Sequence, residues 1–313
     1  MRIRFYVSHG PGREIKDRVW NIASALDDAA RLFGDEFETV HNALFDGPAE
    51  GVDVACTWGV VGNAKAIIAG YTASGKRALM FDKALIRRLG NERQGHFRVG
   101  IDGPAPLKYL MRTLRSWERW EAQRVAVKPR QIVPSSAGRA AILFAGSSQK
   151  YCDFYGLGDA NDYAESVFDR IREITKKTPL VYRPKPSWPG AREIAGTKLS
   201  GQPQPDGTAG RTLLRELKAT GVLITHGSAA AVEAIVSGVP VIALGPCAAS
   251  PVAIQALDDA GLQNLESLYF PSDAARFHWL CNLAWCQWTE AELRSGEAWA
   301  FLRGELAATS SGI

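Results

Sequence analysis

Nowhere do the 313 residues contain a run of about 18 consecutive apolar residues, so no segment has the composition of a membrane-crossing helix. Near the start the only apolar run is Phe5-Tyr6-Val7, too short for the core of a secretory leader, and the cytoplasm is the expected location. Cysteine is sparse. Cys56, Cys152, Cys247, Cys281 and Cys286 form no CxxC pair and no cluster with histidine, which argues against a disulfide framework or structural zinc and leaves reduced, mostly buried thiols. The five histidines are scattered, and no metal set emerges. Neither the Walker phosphate loop nor the GxGxxG dinucleotide loop is present, and no bound cofactor is expected. Internal repeats and low-complexity segments are also missing.

What is there has the character of a folded α/β protein. The length fits two domains of ordinary size, and an apolar content of 46% is enough to fill two cores. Charge is divided unevenly. Residues 1–150 hold 23 Lys/Arg against 15 Asp/Glu, whereas residues 151–313 hold 14 against 18. The basic half suits an acidic acceptor such as nucleic acid, or is simply a solvated basic face.

The most informative stretch is Gly221–Gly245, GVLITHGSAAAVEAIVSGVPVIALG. Val222-Leu223-Ile224 reads as a strand, Thr225-His226-Gly227-Ser228 as a turn, Ala229–Val236 as a helix stopped by Gly238, and Val239–Leu244 as a second strand parallel to the first. The turn lies at a strand's carboxyl end and a helix's amino end, where small residues, backbone N–H groups and the helix dipole favour a phosphate. The run Glu233-Ala234-x-x-x-Gly238-x-Pro240-Val241-Ile242 resembles the donor-site signature of GT-B glycosyltransferases, enzymes of two Rossmann domains that use nucleotide-activated sugars. The resemblance implies that Glu233 holds the donor ribose while His226, Gly227 and Ser228 face the diphosphate. Retaining members often carry a second glutamate eight positions earlier; here that position is Thr225, which leaves an inverting or divergent reaction open. The plainer alternative is that glycine and proline merely punctuate an ordinary βαβ unit.

In the first half, Ile3–Val7 reads as a strand, followed by the Ser8–Gly12 loop and a helix with Ile15, Val19, Ile22, Ala23, Leu26, Ala29 and Ala30 on one face. Val52–Thr57 and Arg77–Phe81 are further strands, with Ala64–Ser74 a helix between them, and Phe97–Ile101 is another short strand. Strands alternating with helices predict a parallel sheet whose ligands sit outside its carboxyl ends, where His9, Trp58 and Asp82 would share a rim. His9 and Asp82 are therefore candidates for the base that takes a proton from an acceptor hydroxyl. A turn histidine and a capping aspartate are the alternatives. Between Lys108 and Arg130 lie seven cations, among them Arg112, Arg115 and Arg119, interleaved with Tyr109, Trp117 and Trp120. Such a segment contacts a nucleic acid, or forms an amphipathic helix with buried tryptophans and solvated arginines.

Val133–Gly138 marks the expected boundary, giving an acceptor domain over 1–134, a donor domain over 139–288 and a helical tail over 289–313 that packs back on the first domain. The second domain opens with the strand Ala140–Ala145 and the loop Gly146-Ser147-Ser148, whose glycine and hydroxyls suit donor phosphates. After a helix over Asn161–Lys176, the strand Leu180–Tyr182 ends in Arg183-Pro184-Lys185-Pro186, two cations between prolines, placed to neutralise a diphosphate or forming a solvated turn. Trp279, Trp285, Trp288 and Trp299 fall in the stretch Ala274–Leu302, helical in pattern, and are read as packing residues.

The expected fold is therefore α/β, two Rossmann-like domains of GT-B type facing a central cleft. The expected activity is transfer of a sugar from a nucleotide-sugar co-substrate to a hydroxyl. CTWGVV, VYRPKPSW, THGSAAAVEAIVSGVP and LAWCQWTEAELRSGEAW also resemble proteins carried by tailed bacteriophages, which would make a hydroxymethylated DNA base an acceptor. A polysaccharide transferase, a nucleotide-sugar epimerase, and a non-catalytic nucleotide- or DNA-binding protein are the alternatives. Oligomeric state leaves no mark in the sequence.

Overall fold

The structure, a computed structural model, describes residues 1–8, 17–60, 62–86, 95–110, 114–123, 127–130, 140–202, 210, 212–257 and 261–310. The chain forms two compact units, one of Met1–Arg112 with Asn282–Ile313, the other of Thr113–Cys281. The expected boundary segment, 133–138, lies outside the described residues.

The first unit is built on a six-stranded sheet. Its strands are β1 (Arg2–Val7), β2 (Glu36–His41), β3 (Val54–Trp58), β4 (Arg77–Lys83), β5 (Phe97–Ile101) and β11 (Gln287–Trp288), in the order β11-β5-β4-β3-β1-β2. β2, β1, β3 and β4 are parallel, whereas β5 and β11 run antiparallel to their neighbours, so the sheet expected to be parallel is mixed. β4 continues past Phe81, which places Asp82 within the strand opposite Arg98 of β5 rather than at its tip. Apolar residues recur at helical spacing along α1 (Asp17–Leu32), and Ile22, Ala23, Ala25, Leu26, Ala29 and Ala30 are all buried. On α2 (Ala64–Ala73), Ile67 and Tyr71 join Tyr6, Val52 and Ala55 in one core, where the Tyr6 and Tyr71 hydroxyls meet at 3.0 Å.

The carboxyl-terminal segment belongs to this unit. α10 (Glu290–Arg294) begins with a capping box: Thr289 Oγ1 accepts from Glu292 N–H, and the Glu292 carboxylate accepts from Thr289 N–H. α10 and α11 (Glu297–Ser310) pack against α1, and the Trp299 indole donates to Asp35 Oδ2 at 2.8 Å.

The second unit has a five-stranded, all-parallel sheet. Its strands are β6 (Ala141–Ala145), β7 (Leu180–Arg183), β8 (Lys198–Leu199), β9 (Thr220–Thr225) and β10 (Val241–Ala243), in the order β10-β9-β6-β7-β8. Alternate residues point to opposite faces. Ile142, Phe144, Tyr182, Val222, Ile224 and Ile242 meet Ala164, Val167, Phe168 and Ile171 of α6 (Ala160–Ile174), a helix capped by Asp159, whose Oδ1 accepts from Asn161 N–H at 2.8 Å. α7 (Leu213–Leu217) and α8 (Ala230–Val236) lie against each other, and both touch β9. With both faces covered, the strands read as near-continuous apolar runs, as they do in the sequence.

Within the basic stretch, the described helices are α3 (Leu107–Leu110) and α4 (Glu118–Gln123), separated rather than continuous. Trp120 is buried while Trp117 is 49% exposed. All five cysteines are buried free thiols. Among the described residues no helix is long and apolar enough to cross a membrane, and no group of three His, Cys, Asp or Glu is placed to hold a metal.

Candidate functional site

In the second sheet the chain leaves β6 for β7 and β8, then crosses back to lay β9 and β10 on the other side of β6. Reversal of strand order opens a crevice at the carboxyl ends of the two strands that flank it, here β6 and β9. The sequence puts its two candidate phosphate loops at those ends: Gly146-Ser147-Ser148 after β6 and His226-Gly227-Ser228 after β9.

Thr225 ties the two together. Fully buried as the last residue of β9, it donates its hydroxyl to the Ala145 carbonyl at 2.7 Å. Its Oγ1 also accepts the N–H groups of Gly227 (3.4 Å) and Ser228 (3.2 Å). Ser228 Oγ accepts from Ala230 N–H at 3.2 Å. The turn is thus shaped by hydroxyls of its own sequence, in the manner of side chains that mimic a backbone turn. A phosphate entering here meets a turn whose N–H groups at Gly227 and Ser228 already have acceptors, so the side-chain hydroxyls of Ser147 and Ser228 are its more accessible donors. On the β6 side, Gly146 N–H donates to the Arg183 carbonyl at 3.0 Å, and the buried Ser148 is the cap position of α5 (Gln149–Tyr155).

His226 is held from three sides. Its Nδ1 shares a 2.8 Å hydrogen bond with the Tyr163 hydroxyl of α6. The Tyr155 ring lies 5.1 Å away between centroids and the Tyr163 ring 5.5 Å away, nearly perpendicular. The third side is the backbone of Gly245, close under the imidazole. Burial lowers the His226 pKa from its ordinary value and pushes Tyr163 up to about 12, so both are neutral at physiological pH. Neutral imidazole and phenol can each donate or accept, whichever way the shared proton sits.

The other predicted residues sit as follows. Glu233 is half-buried in the first turn of α8. The Gly238 that closes that helix has φ +81°, and a methyl there would collide with the backbone of Pro129 and Arg130, 2.7–2.8 Å away. The glycine of the resembling run is therefore demanded by the helix end and by a crossing chain, whatever the ligand. Arg183 is 6% exposed; its side chain packs against Gly201 and reaches Ser200 Oγ at 3.5 Å, which in turn donates to Glu216 of α7 at 2.5 Å. It is part of a buried polar network, while Lys185 is exposed. In the first unit Asp82 is ion-paired with Arg98 at 2.8 Å, and its other oxygen accepts from Lys83 N–H at 2.7 Å. Arg115 and Arg119 are half-buried beside the exposed Trp117. Farther along that stretch, Arg130 donates to the Glu266 carbonyl and Lys128 N–H donates to the Val236 carbonyl, so this end of it is structural. His9 and Arg112 lie outside the described residues.

Tyr155, Tyr163 and Gly245 were not among the sequence candidates, and Thr225 entered only as the first residue of the turn and as the position of the absent second glutamate. Thr225 carried a signal, a hydroxyl residue at the end of an apolar strand immediately before a glycine turn. The tyrosines carried none, being 71 and 63 residues from His226 in the chain.

Fold and strand order define an α/β protein of two Rossmann-like units, GT-B-like in fold, whose second unit reverses strand order between β6 and β9. No protein-family model matches the chain, and no curated protein does. Among solved structures it is similar to the KpsC beta Kdo 2,4 transferase of Thermosulfurimonas dismutans, at 14% identity and a TM-score of 0.51, over 98% of this chain and 98% of that one. It also aligns with the KpsC beta Kdo 2,7 transferase of the same organism at 13% identity and a TM-score of 0.42, over 96% of this chain and 100% of that one. At such identity the first likeness speaks for the fold alone.

Proposed function

We propose that the chain is a GT-B-type glycosyltransferase that binds a nucleotide-activated sugar at the carboxyl ends of β6 and β9 in its second unit and transfers the sugar to an acceptor hydroxyl. The observation that carries this reading is the pairing of two small, hydroxyl-bearing loops at the strand-order reversal, fastened by the Thr225–Ala145 hydrogen bond, with a carboxylate one helical turn behind. The similar KpsC structure, named a beta Kdo 2,4 transferase, shares the fold on which this reading rests.

In this reaction the acceptor oxygen bonds to the anomeric carbon as the bond from that carbon to the donor phosphate breaks. The hydroxyl proton passes to a base. His9 is the candidate, because both oxygens of Asp82 are engaged by Arg98 and Lys83. Negative charge developing on the departing phosphate is met by the hydroxyls of Ser147 and Ser228, by Lys185 and by neutral His226 acting as donor. Glu233 accepts from the ribose hydroxyls.

Thermal-shift screening with UDP, GDP, ADP, TDP and CMP tests the donor site, since a ligand selective for the folded state raises its melting temperature. Glu233→Gln should weaken the best ligand about ten- to hundredfold, the value of a charge-assisted hydrogen bond. It should also abolish preference for that ligand over its 2′,3′-dideoxy form. No shift with any nucleotide at millimolar concentration would sink the donor site, and turnover of a nucleotide-sugar panel separates enzyme from binder. A DNA acceptor calls for duplex binding that weakens steeply with salt and is flattened by Arg115→Gln with Arg119→Gln.

A further inference from the structure

We propose that the first unit carries an oxyanion-binding site at its own strand-order reversal, where Arg18, set against Trp58, receives the carboxylate or phosphate of an acidic sugar. Calling that sugar the acceptor rests on the transfer reaction proposed above; the binding of the anion does not.

The parallel part of the first sheet runs β2-β1-β3-β4, so the order reverses between β1 and β3 and opens a second crevice at their carboxyl ends. Trp58 is the last residue of β3, and Arg18 lies in the first turn of α1, the helix that follows β1. The guanidinium carbon sits 5.9 Å from the centre of the Trp58 ring, within range for a cation over an aromatic face. Nη2 donates to the carbonyls of Gly95 (2.9 Å) and His96 (2.6 Å). Among the described residues, Nη1 and Nε make no hydrogen bond and the guanidinium has no ion-pair partner.

Among the described residues no carboxylate pairs with it. Asp82 and Glu290 act on Arg18 only through space: Asp82 pairs with Arg98 at 2.8 Å, and Glu290 pairs at 3.0 Å with Arg294, which it shares with Asp28. Among the described residues Arg18 is thus a cation on this rim that closes no ion pair. Burial lowers its pKa from the ordinary value, yet an arginine keeps its charge at neutral pH. A half-buried cation fixed by two carbonyls and an indole, with two nitrogens still able to donate, is built to meet an oxyanion.

Isothermal titration of the full chain with glucuronate, glucose 6-phosphate and glucose tests this. One of the two acids, which tells carboxylate from phosphate, should bind at least about tenfold more tightly than glucose. Sulfate should compete with it in the wild-type protein. Arg18→Gln should erase the preference and Arg18→Lys should keep part of it, with thermal unfolding confirming that both fold. Should Arg18→Gln fail to fold, sulfate competition in the wild type decides. Equal binding of acid and neutral sugar, indifference to sulfate, or a preference that survives Arg18→Gln would overturn the site and leave Arg18 as a latch for Gly95 and His96. Binding confined to a duplex oligonucleotide would overturn it too, in favour of a nucleic-acid contact. A nucleotide-induced thermal shift that persists in Arg18→Gln separates failure here from failure of the donor site.

Discussion

Gly245→Ala should damage the candidate donor site through a single contact. A methyl group at this position would lie 2.5–2.6 Å from Cδ2 and Cε1 of the His226 ring, against an ordinary carbon contact of about 3.5–4.0 Å, so the ring must retreat by about 1 Å. It has little room. Tyr163 holds Nδ1 at 2.8 Å and Tyr155 stands 5.1 Å away on another side. Overpacking of this kind costs about 1–3 kcal/mol, and loss of the Tyr163 hydrogen bond adds about 0.5–1.5 kcal/mol. Gly245 does not have a positive φ, so alanine brings no backbone strain of its own. A total of about 2–4 kcal/mol should lower the melting temperature of a unit the size of Thr113–Cys281 by about 5–15 °C in scanning calorimetry. The decisive measurement is the double-mutant cycle. With His226→Ala already present, the added methyl has no ring to strike, and Gly245→Ala should cost less than about 0.5 kcal/mol. An equal cost with and without the imidazole would refute the account of His226 as a clamped ring.

Thr225→Val keeps the shape of a buried side chain and removes the hydroxyl that joins β9 to β6 and orders the turn; it should cost about 1–3 kcal/mol in urea unfolding, with Thr225→Ser restoring most of the loss. A pH effect follows from His226, whose folded pKa is depressed by burial. Below the unfolded value, near about 6.5, the unfolded chain takes up a proton that the folded chain refuses. The contribution is therefore intact above that pH and is lost as pH falls toward the folded pKa, and melting temperatures between pH 8 and pH 5 should fall less steeply in His226→Gln than in wild type. Asp82→Asn removes the carboxylate that pairs with Arg98 and should destabilise the first unit by about 1–3 kcal/mol, while leaving the nucleotide-induced thermal shift in place; loss of that shift would show that the two units do not bind independently.

Much of the architecture was legible in one dimension because its causes are local. Val222-Leu223-Ile224, the glycine turn and the Ala229–Val236 helix follow from chain stiffness and apolar periodicity, and Gly238 announced the helix end that its φ of +81° requires. Alternation of such units was enough for an α/β fold with two Rossmann-like halves. The antiparallel edge of the first sheet was not legible, because the direction of β5 and β11 depends on which strand each pairs with. The same holds for Asp82, which reads in sequence as a polar residue at a strand tip and becomes half of an ion pair once Arg98 lies opposite. The site divides along the same line. Sequence determined which loops are small, hydroxylated and placed at strand ends. Only tertiary structure decided that Thr225 bonds Ala145 across 80 residues of chain, that Tyr155, Tyr163 and Gly245 enclose His226, that Arg183 turns into a buried network, and that Arg18 stands over Trp58 with no ion-pair partner among the described residues. Those are pairings between groups distant in the chain, fixed by strand order and helix packing, and no local pattern of residues encodes them.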